Sequence, residues 1–277
     1  MPIVTISRGT MSGGHALAEC LAAKLNVPSV ASEIITEAAS KVGSSEEVLT
    51  KKLEKSPGVW DRMTSERRVY VVAMQAALAE HAASGNLVYH GRAGHMLLRG
   101  VPAVLRVRLI APMDMRIRAV VDKHKMGRRE AEEYIHQVDE DRVRWAKFIY
   151  GVDLREPALY DMVLSLETMS IATACTVVAE ALRQPEYAIT GEVKKKLADF
   201  VLASKVRLAL ATHAASRHLE LDVQADGGNV TITGEAPQPA MLTHVSTMLE
   251  QELTAVARGV EGVEKVDLKV RPFDAYH

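Results

Sequence analysis

The residues with the clearest chemical purpose stand near the start of the chain: Arg8, Gly9, Thr10, Met11, Ser12, Gly13, Gly14, His15 and Ala16. Small residues let successive backbone N–H groups turn towards one anion, and a helix opening there adds the positive end of its dipole. Gly9 and Gly14 have the spacing of a phosphate loop. In that pattern a lysine follows, reaching the transferring phosphate, and then a hydroxyl that holds magnesium. Here His15 and Ala16 occupy those places. Histidine is a weaker cation than lysine near pH 7, so the cradle of the motif is present and its cation and metal ligand are not. The plainer reading is a strand, a tight turn and a helix.

The flanking sequence supplies the elements that would position such a loop. Ile3-Val4-Thr5-Ile6 is a β-branched apolar run, and Leu17, Leu21 and Leu25 repeat at helical spacing behind it. Further strands are expected at 27–30, 87–90, 105–110 and 161–164, and helices at 32–39, 44–53, 62–83, 113–126, 130–150 and 170–182. Strands alternating with helices predict an α/β fold, a parallel sheet with helices on both faces, whose ligand lies beyond the carboxyl ends of the strands. Arg62, Glu66, Arg67 and Arg68 read as a water-facing set on the long helix. His90 and His95 flank a turn and read as ordinary polar residues, not as metal ligands.

Ile6-Ser7-Arg8 followed by Ser12-Gly13-Gly14 resembles the start of the cytidylate-kinase-like family, in which the lysine of the loop is commonly an arginine. That resemblance implies a P-loop kinase-like sheet, ATP as phosphoryl donor with Mg2+ in an active enzyme, and a pyrimidine nucleoside monophosphate such as CMP as acceptor. Gly91-Arg92 after a strand is similar to the strand tip that carries an arginine to the phosphate site. Arg116 matches an arginine just inside a helix that contacts nucleotide or lid. Asp139-Glu140-Asp141-Arg142 resembles the lid's Asp-x-x-Arg, in which Asp139 would hold Arg142 towards a phosphate. Asp161 opens the last strand of the sheet and is expected to meet an arginine or a backbone donor, with Asp161 or Glu33 reaching magnesium or the acceptor. Ala31 replaces a family aspartate, and Ser165-Leu166 replaces Asn-Thr.

The chain has 277 residues, 48% hydrophobic and 25% charged, which gives room for two domains. A net charge of -1 supplies no global field for nucleic acid, so nucleic acid is not an expected partner. Cys20 and Cys175 lie in helical patterns and read as reduced core residues. The chain enters a strand at once, without a basic region and apolar stretch before it, which makes a cytoplasmic location the expectation.

After residue 184 the grammar changes. A linker and helix start occupy 185–196; then come a helix, a hairpin turning at Asp226-Gly227-Gly228-Asn229, a helix through Met241 to Val256 and a strand at 263–270. This αββαβ order, with Val230-Thr231-Ile232-Thr233-Gly234 and Gly262-Val263, resembles a BON domain over 197–277. The resemblance implies a phospholipid or other small hydrophobic ligand. The plainer reading is a packing module against its neighbour or a second copy, which would make a homo-oligomer. Two functions follow for the whole chain: a nucleotide kinase on residues 1–184, or a nucleotide sensor with little turnover that regulates the BON-like module.

Overall fold

The computed structural model describes residues 2–54, 66–237 and 243–273. Val4 and Ile6 face one side of the first strand and Ile3 the other, and all three are buried. Burial on both faces is what a central strand of a parallel sheet requires. Five strands, β1 (Ile3–Arg8), β2 (Ser29–Val30), β3 (Leu87–Tyr89), β4 (Val104–Ile110) and β5 (Met162–Ser165), form that sheet in the order β2-β3-β1-β4-β5. Every pairing is parallel.

One face is covered by α1 (Gly14–Leu25) and α8 (Ile171–Ala181), whose Leu17, Leu21 and Val178 join Val4, Val88 and Val107 in one core. The other face takes α2 (Glu33–Lys41), α3 (Glu46–Glu54), α4 (Glu66–Ala82) and α5 (Gly94–Leu97), with Ile34, Leu49, Leu78 and Leu97 packed with Ile3, Leu87 and Tyr89. After β4, α6 (Met113–His124) and α7 (Arg128–Tyr150) pack on each other through Ile117, Val120, Ala131 and Ile135. The doubly covered parallel sheet is the expected architecture. The part of the expected 62–83 helix before Glu66, including Arg62, lies outside the described residues.

A 3-10 turn at Pro185–Tyr187 leads at once into α9 (Gly191–Thr212). Then follow β6 (Glu220–Asp226), β7 (Asn229–Pro237), α10 (Thr243–Arg258) and β8 (Lys265–Phe273). β6 and β7 form the antiparallel hairpin, with Gly227 at φ 52° and Gly228 at φ 87°, and α10 crosses over to set β8 parallel to β7. The αββαβ unit is therefore present. Met241 lies outside the described residues.

α9 belongs to two cores. Leu197 is buried with Leu78 and Leu87 on the large sheet, whereas Val206 and Leu210 are buried with Val223 and Ile232 on the small one. Polar contacts continue the seam: Arg207 Nη1 donates to Gln75 Oε1 at 2.9 Å, and Arg68 Nη1 lies 3.9 Å from Glu220 Oε1. Arg68 was expected to face water with its helix neighbours. Instead it is largely covered where α4 meets β6, because the second domain packs against that side of α4.

The cysteines also differ from expectation. Cys20 on α1 and Cys175 on α8 form a disulfide, with Cα atoms 6.2 Å apart at a sequence separation of 155. Both lie in the core beneath one sheet face, as the helical pattern implied, but packing of α1 on α8 brings the two thiols together. Among the described residues no helix is long and apolar enough to cross a membrane.

A cross-link closing so long a span restricts the unfolded chain. Cys175→Ser, or treatment with reductant, is expected to lower stability by roughly 2–5 kcal/mol, read as a fall in the urea midpoint. Alkylation of the unreduced, denatured protein followed by intact-mass measurement should add no label, and uptake of two labels would refute the pairing.

Candidate functional site

β1 ends where the strand order reverses about it, with β3 on one side and β4 on the other, and the loop Gly9–Gly13 leaves from that point. Ser12 N–H donates back to Gly9 O at 3.3 Å, while Met11 at φ 53° and Gly13 at φ 79° turn the chain into α1. Gly13 caps the helix without a side-chain hydrogen bond. The amides of Gly14, His15 and Ala16 stand in the first turn, where no intrahelical acceptor exists. The loop therefore presents uncompensated N–H groups at the positive end of a helix.

Gly14 is required there for space. A Cβ on it would lie 2.1 Å from Arg8 Cδ and 2.8 Å from Arg8 Nε, so the Arg8 side chain lies directly against the helix start. Arg8 Nε is buried and has no hydrogen-bond partner among the described residues. Burial, then the like charges of Arg142 and Arg92, hold the Arg8 guanidinium below its ordinary basicity, with Asp139 opposing them. Arginines of the turn after β3 and of α7 are thus close enough to the end of β1 for Arg8 to feel their charge. Sequence reading named all three but missed the packing of Arg8 on Gly14.

His15 does not reach inward. Its side chain is exposed, its Nε2 lies 3.2 Å from Glu19 Oε1, and its ring centroid is 5.3 Å from that of His90. Ala16 is exposed and offers no oxygen. Thr10 and Ser12 are buried, and Met11 packs against the α6–α7 cluster, so the loop is covered by the two lid helices.

Asp139 provides the polar half of that cover. Thr10 N–H and Thr10 Oγ1 each donate to Asp139 Oδ1 at 2.8 Å, and Arg116 Nη2 donates to Asp139 Oδ2. Arg116 Nε donates to Thr10 O at 2.7 Å. Arg142 Nη1 donates to Thr10 Oγ1 at 3.2 Å and stands 3.7 Å from Asp139 Oδ1. Asp139 was expected to orient Arg142; it chiefly holds the loop and Arg116. Burial alone would raise the Asp139 carboxyl, but the Thr10 amide, Arg116 and the Thr10 hydroxyl outweigh burial and hold it below the usual carboxylate range.

Other candidates fall elsewhere. Asp161 precedes β5 and receives Arg106 N–H at 2.8 Å and Arg106 Nη2 at 2.6 Å, so it meets both an arginine and a backbone donor at the amino end of an edge strand. That is the opposite end from the loop, and Asp161 is not placed to reach magnesium there. Glu33 accepts from Ala31 N–H at 2.7 Å. His90 and His95, expected as ordinary polar residues, are buried, with His90 Nδ1 and His95 Nε2 unpartnered among the described residues. Burial, helped by Arg106 and Arg108, pushes His95 down to about 4. Burial, then Arg8 and His15, also lowers His90. Tyr89, unremarked in the sequence, sets the Arg92 turn: a Cβ on Gly91 or Gly94 would come within 2.3 Å of its ring, and its hydroxyl donates to Arg92 O at 3.2 Å. The recurrence of glycine in Gly91-Arg92-Ala93-Gly94 was the available signal.

The donor set around the loop does not fit a magnesium held by the protein. Ala16 lacks the hydroxyl, the Thr10 hydroxyl is engaged by Asp139, and among the described residues no group of three or more His, Cys, Asp or Glu side chains is arranged to hold a metal. A phosphate chain does fit: first-turn amides, the Arg8 side chain packed against them and the positive field of Arg142 and Arg92 are what an oxyanion needs.

Comparison with known proteins shows the family and the fold. A model described as cytidylate kinase-like family matches residues 3–168, and a BON domain model matches 198–272. Cytidylate kinase of Pyrobaculum islandicum is 25% identical over 178 residues, covering 64% of this chain and 90% of that protein. Cytidylate kinase of Methanopyrus kandleri is 28% identical over 184 residues, covering 62% and 91%. The crystal structure of an uncharacterized protein from Eubacterium ventriosum superposes with a TM-score of 0.52 at 17% identity, covering 66% of this chain and 98% of that one, which shows a shared fold.

Replacing Asp139 by Asn keeps the shape but removes the charge that balances the arginines. Asp139→Asn is expected to cost about 1–3 kcal/mol at pH 7. Because the folded carboxyl lies below its unfolded value, the wild-type advantage should be complete above about pH 4 and vanish as pH falls through the lowered folded value. Chemical denaturation of both proteins from pH 7 to pH 2 measures this, and a pH-independent difference would refute the assignment.

Proposed function

Since the chain belongs to the cytidylate kinase-like family, we propose that the loop after β1 binds the phosphates of ATP and passes the γ-phosphoryl group to a pyrimidine nucleoside monophosphate. The observation that carries the proposal is Arg8 against Gly14. The cation missing at His15 is supplied from the end of β1, beside the first-turn amides. Phosphoryl transfer needs positioning and charge neutralisation more than covalent chemistry, so a fixed guanidinium can act where a lysine would. The amides of Gly14, His15 and Ala16 would hold the phosphate nearest the helix, with Arg8, Arg92 and Arg142 around the transferring group. Arg116 acts indirectly in this reading, by orienting Thr10 and Asp139.

A second reading has its own observation. The Thr10 amide and hydroxyl are engaged by Asp139, and Ala16 offers magnesium nothing, which favours a nucleotide sensor whose bound state acts on the BON unit through the shared α9. Entry of phosphate would then release Asp139 and the lid, with little turnover.

Thermal shift and ADP release separate these readings. ATP and CMP at about 100 times their Kd are expected to stabilise the protein by about 2.7 kcal/mol. Arg8→Met should abolish most of that stabilisation, and Arg8→Lys should restore part of it. With turnover present, Arg8→Met should lower kcat/KM by about 100- to 1000-fold. Stabilisation without ADP release over all pyrimidine monophosphates selects the sensor, and no stabilisation by any nucleotide overturns both readings.

A further inference from the structure

A covalent link reaches the phosphate loop from behind. α1, which opens at that loop, is bonded through Cys20 to Cys175 of α8. The same α8 also meets the loop itself. A Cβ on Gly13, the residue before α1, would lie 3.0 Å from Ile171 Cδ1 and 3.1 Å from Leu166 Cδ1, so the first residue of α8 and the residue after β5 close on the turn that aims the first-turn amides. Ile171 and Cys175 stand about one turn apart on α8. The seating of α8 is therefore shared between the loop and the bond. That bond lies at a boundary. Cys175 is fully buried with Ala174, Val178 and Ala179, whereas Cys20 is partly exposed and its neighbour Glu19 is exposed. Lys24 Nζ, one turn along α1 from Cys20, donates to Thr176 Oγ1 at 2.9 Å, so a cation spans the same two helices at the surface, and cationic neighbours favour the thiolate form. Breaking the bond changes the space it needs. Bonded sulfurs sit about 2 Å apart, whereas non-bonded heavy atoms keep about 3.5–4 Å. A close-packed core has low compressibility, so the difference passes into the position of α8.

We propose that Cys20 and Cys175 are a reversible thiol–disulfide switch that sets the affinity of the phosphate loop: the oxidised pair holds α8 on Gly13 and keeps the first-turn amides aimed, and the reduced pair releases them. The proposal rests on the reading of this loop as a nucleotide site. The reductant is a dithiol. One of its thiolates attacks the sulfur of Cys20, forming a mixed disulfide and expelling Cys175 as a thiolate that takes up a proton; its second thiol then displaces Cys20, leaving two thiols in the chain and a disulfide in the reductant. Entry is from Cys20 because Cys175 has no exposed surface. A small-molecule disulfide such as oxidised glutathione takes the two electrons back in the reverse exchange.

Full-length protein would be treated with dithiothreitol and then with oxidised glutathione, its thiols counted by alkylation and intact mass, and ATP titrated calorimetrically in each state. Dithiothreitol is expected to expose two thiols in the folded protein and to weaken ATP binding tenfold or more, and oxidised glutathione should reverse both changes. Cys20→Ala and Cys175→Ala should each bind ATP as weakly as the reduced wild type and ignore dithiothreitol; either variant serves if the other fails to fold. Hydrogen exchange of the peptide 9–17, measured without nucleotide, should be faster in the reduced protein. ATP binding to neither state would refute the nucleotide reading, and the exchange measurement would then decide the switch alone, faster exchange upholding it and unchanged exchange ending it. Where ATP binds, equal affinity in the two states overturns the proposal. So does resistance of the native bond to dithiothreitol, or loss of the melting transition on reduction, either of which would make the bond a structural staple.

Discussion

Three guanidinium groups around one short loop repel one another, and the structure around that loop follows from the need to balance them. Asp139 opposes that repulsion at Arg8, and it also takes the Thr10 amide, the Thr10 hydroxyl and Arg116 at once. One carboxylate thus ties the loop after β1 to a helix 129 residues later and does so where a phosphate oxygen would also be stabilised. Met11 adds an apolar anchor against the cluster of Ile117, Val120, Ala131 and Ile135. The loop and the α6–α7 pair are therefore one unit.

Glycine and topology bring the other arginines up to that unit. The parallel order β2-β3-β1-β4-β5 places the ends of β1 and β3 side by side, which brings Arg8 and the Arg92 turn to one edge. Gly14 admits the stem of Arg8, and Gly91 with Gly94 admits the ring of Tyr89 that supports Arg92. A methyl group at any of the three would displace a side chain that carries or positions charge.

Much of this architecture was legible because its signals are local. Alternation and helical spacing located the strands, the lid helix and the hairpin of the second domain, and the glycine spacing marked the loop. The disulfide, the cover over Arg68 and the hold of Asp139 on Thr10 were not legible, because each depends on a partner more than 100 residues away. Local pattern gives a residue's face, and only packing gives its neighbour. Arg68 shows the difference: its sequence neighbourhood is that of any solvated helix face, and what covers it is a separately patterned unit. The packing of Arg8 on Gly14 escaped for another reason. The glycine was explained already by the turn, so nothing in the sequence asked for a second cause.

The shared helix raises the question of whether the two domains communicate. Arg207 of α9 donates to Gln75 Oε1, and Gln75 Nε2 donates to Leu97 O at 3.0 Å, the last residue of the short helix that follows the Arg92 turn. A continuous polar path therefore runs from α9 of the second domain to the short helix that follows the Arg92 turn. Continuity alone transmits nothing: coupling requires an element with two arrangements that both sites bias differently. Gln75 is the residue through which such a bias would have to pass, since its Oε1 takes Arg207 of the second domain while its Nε2 holds Leu97 O of the first.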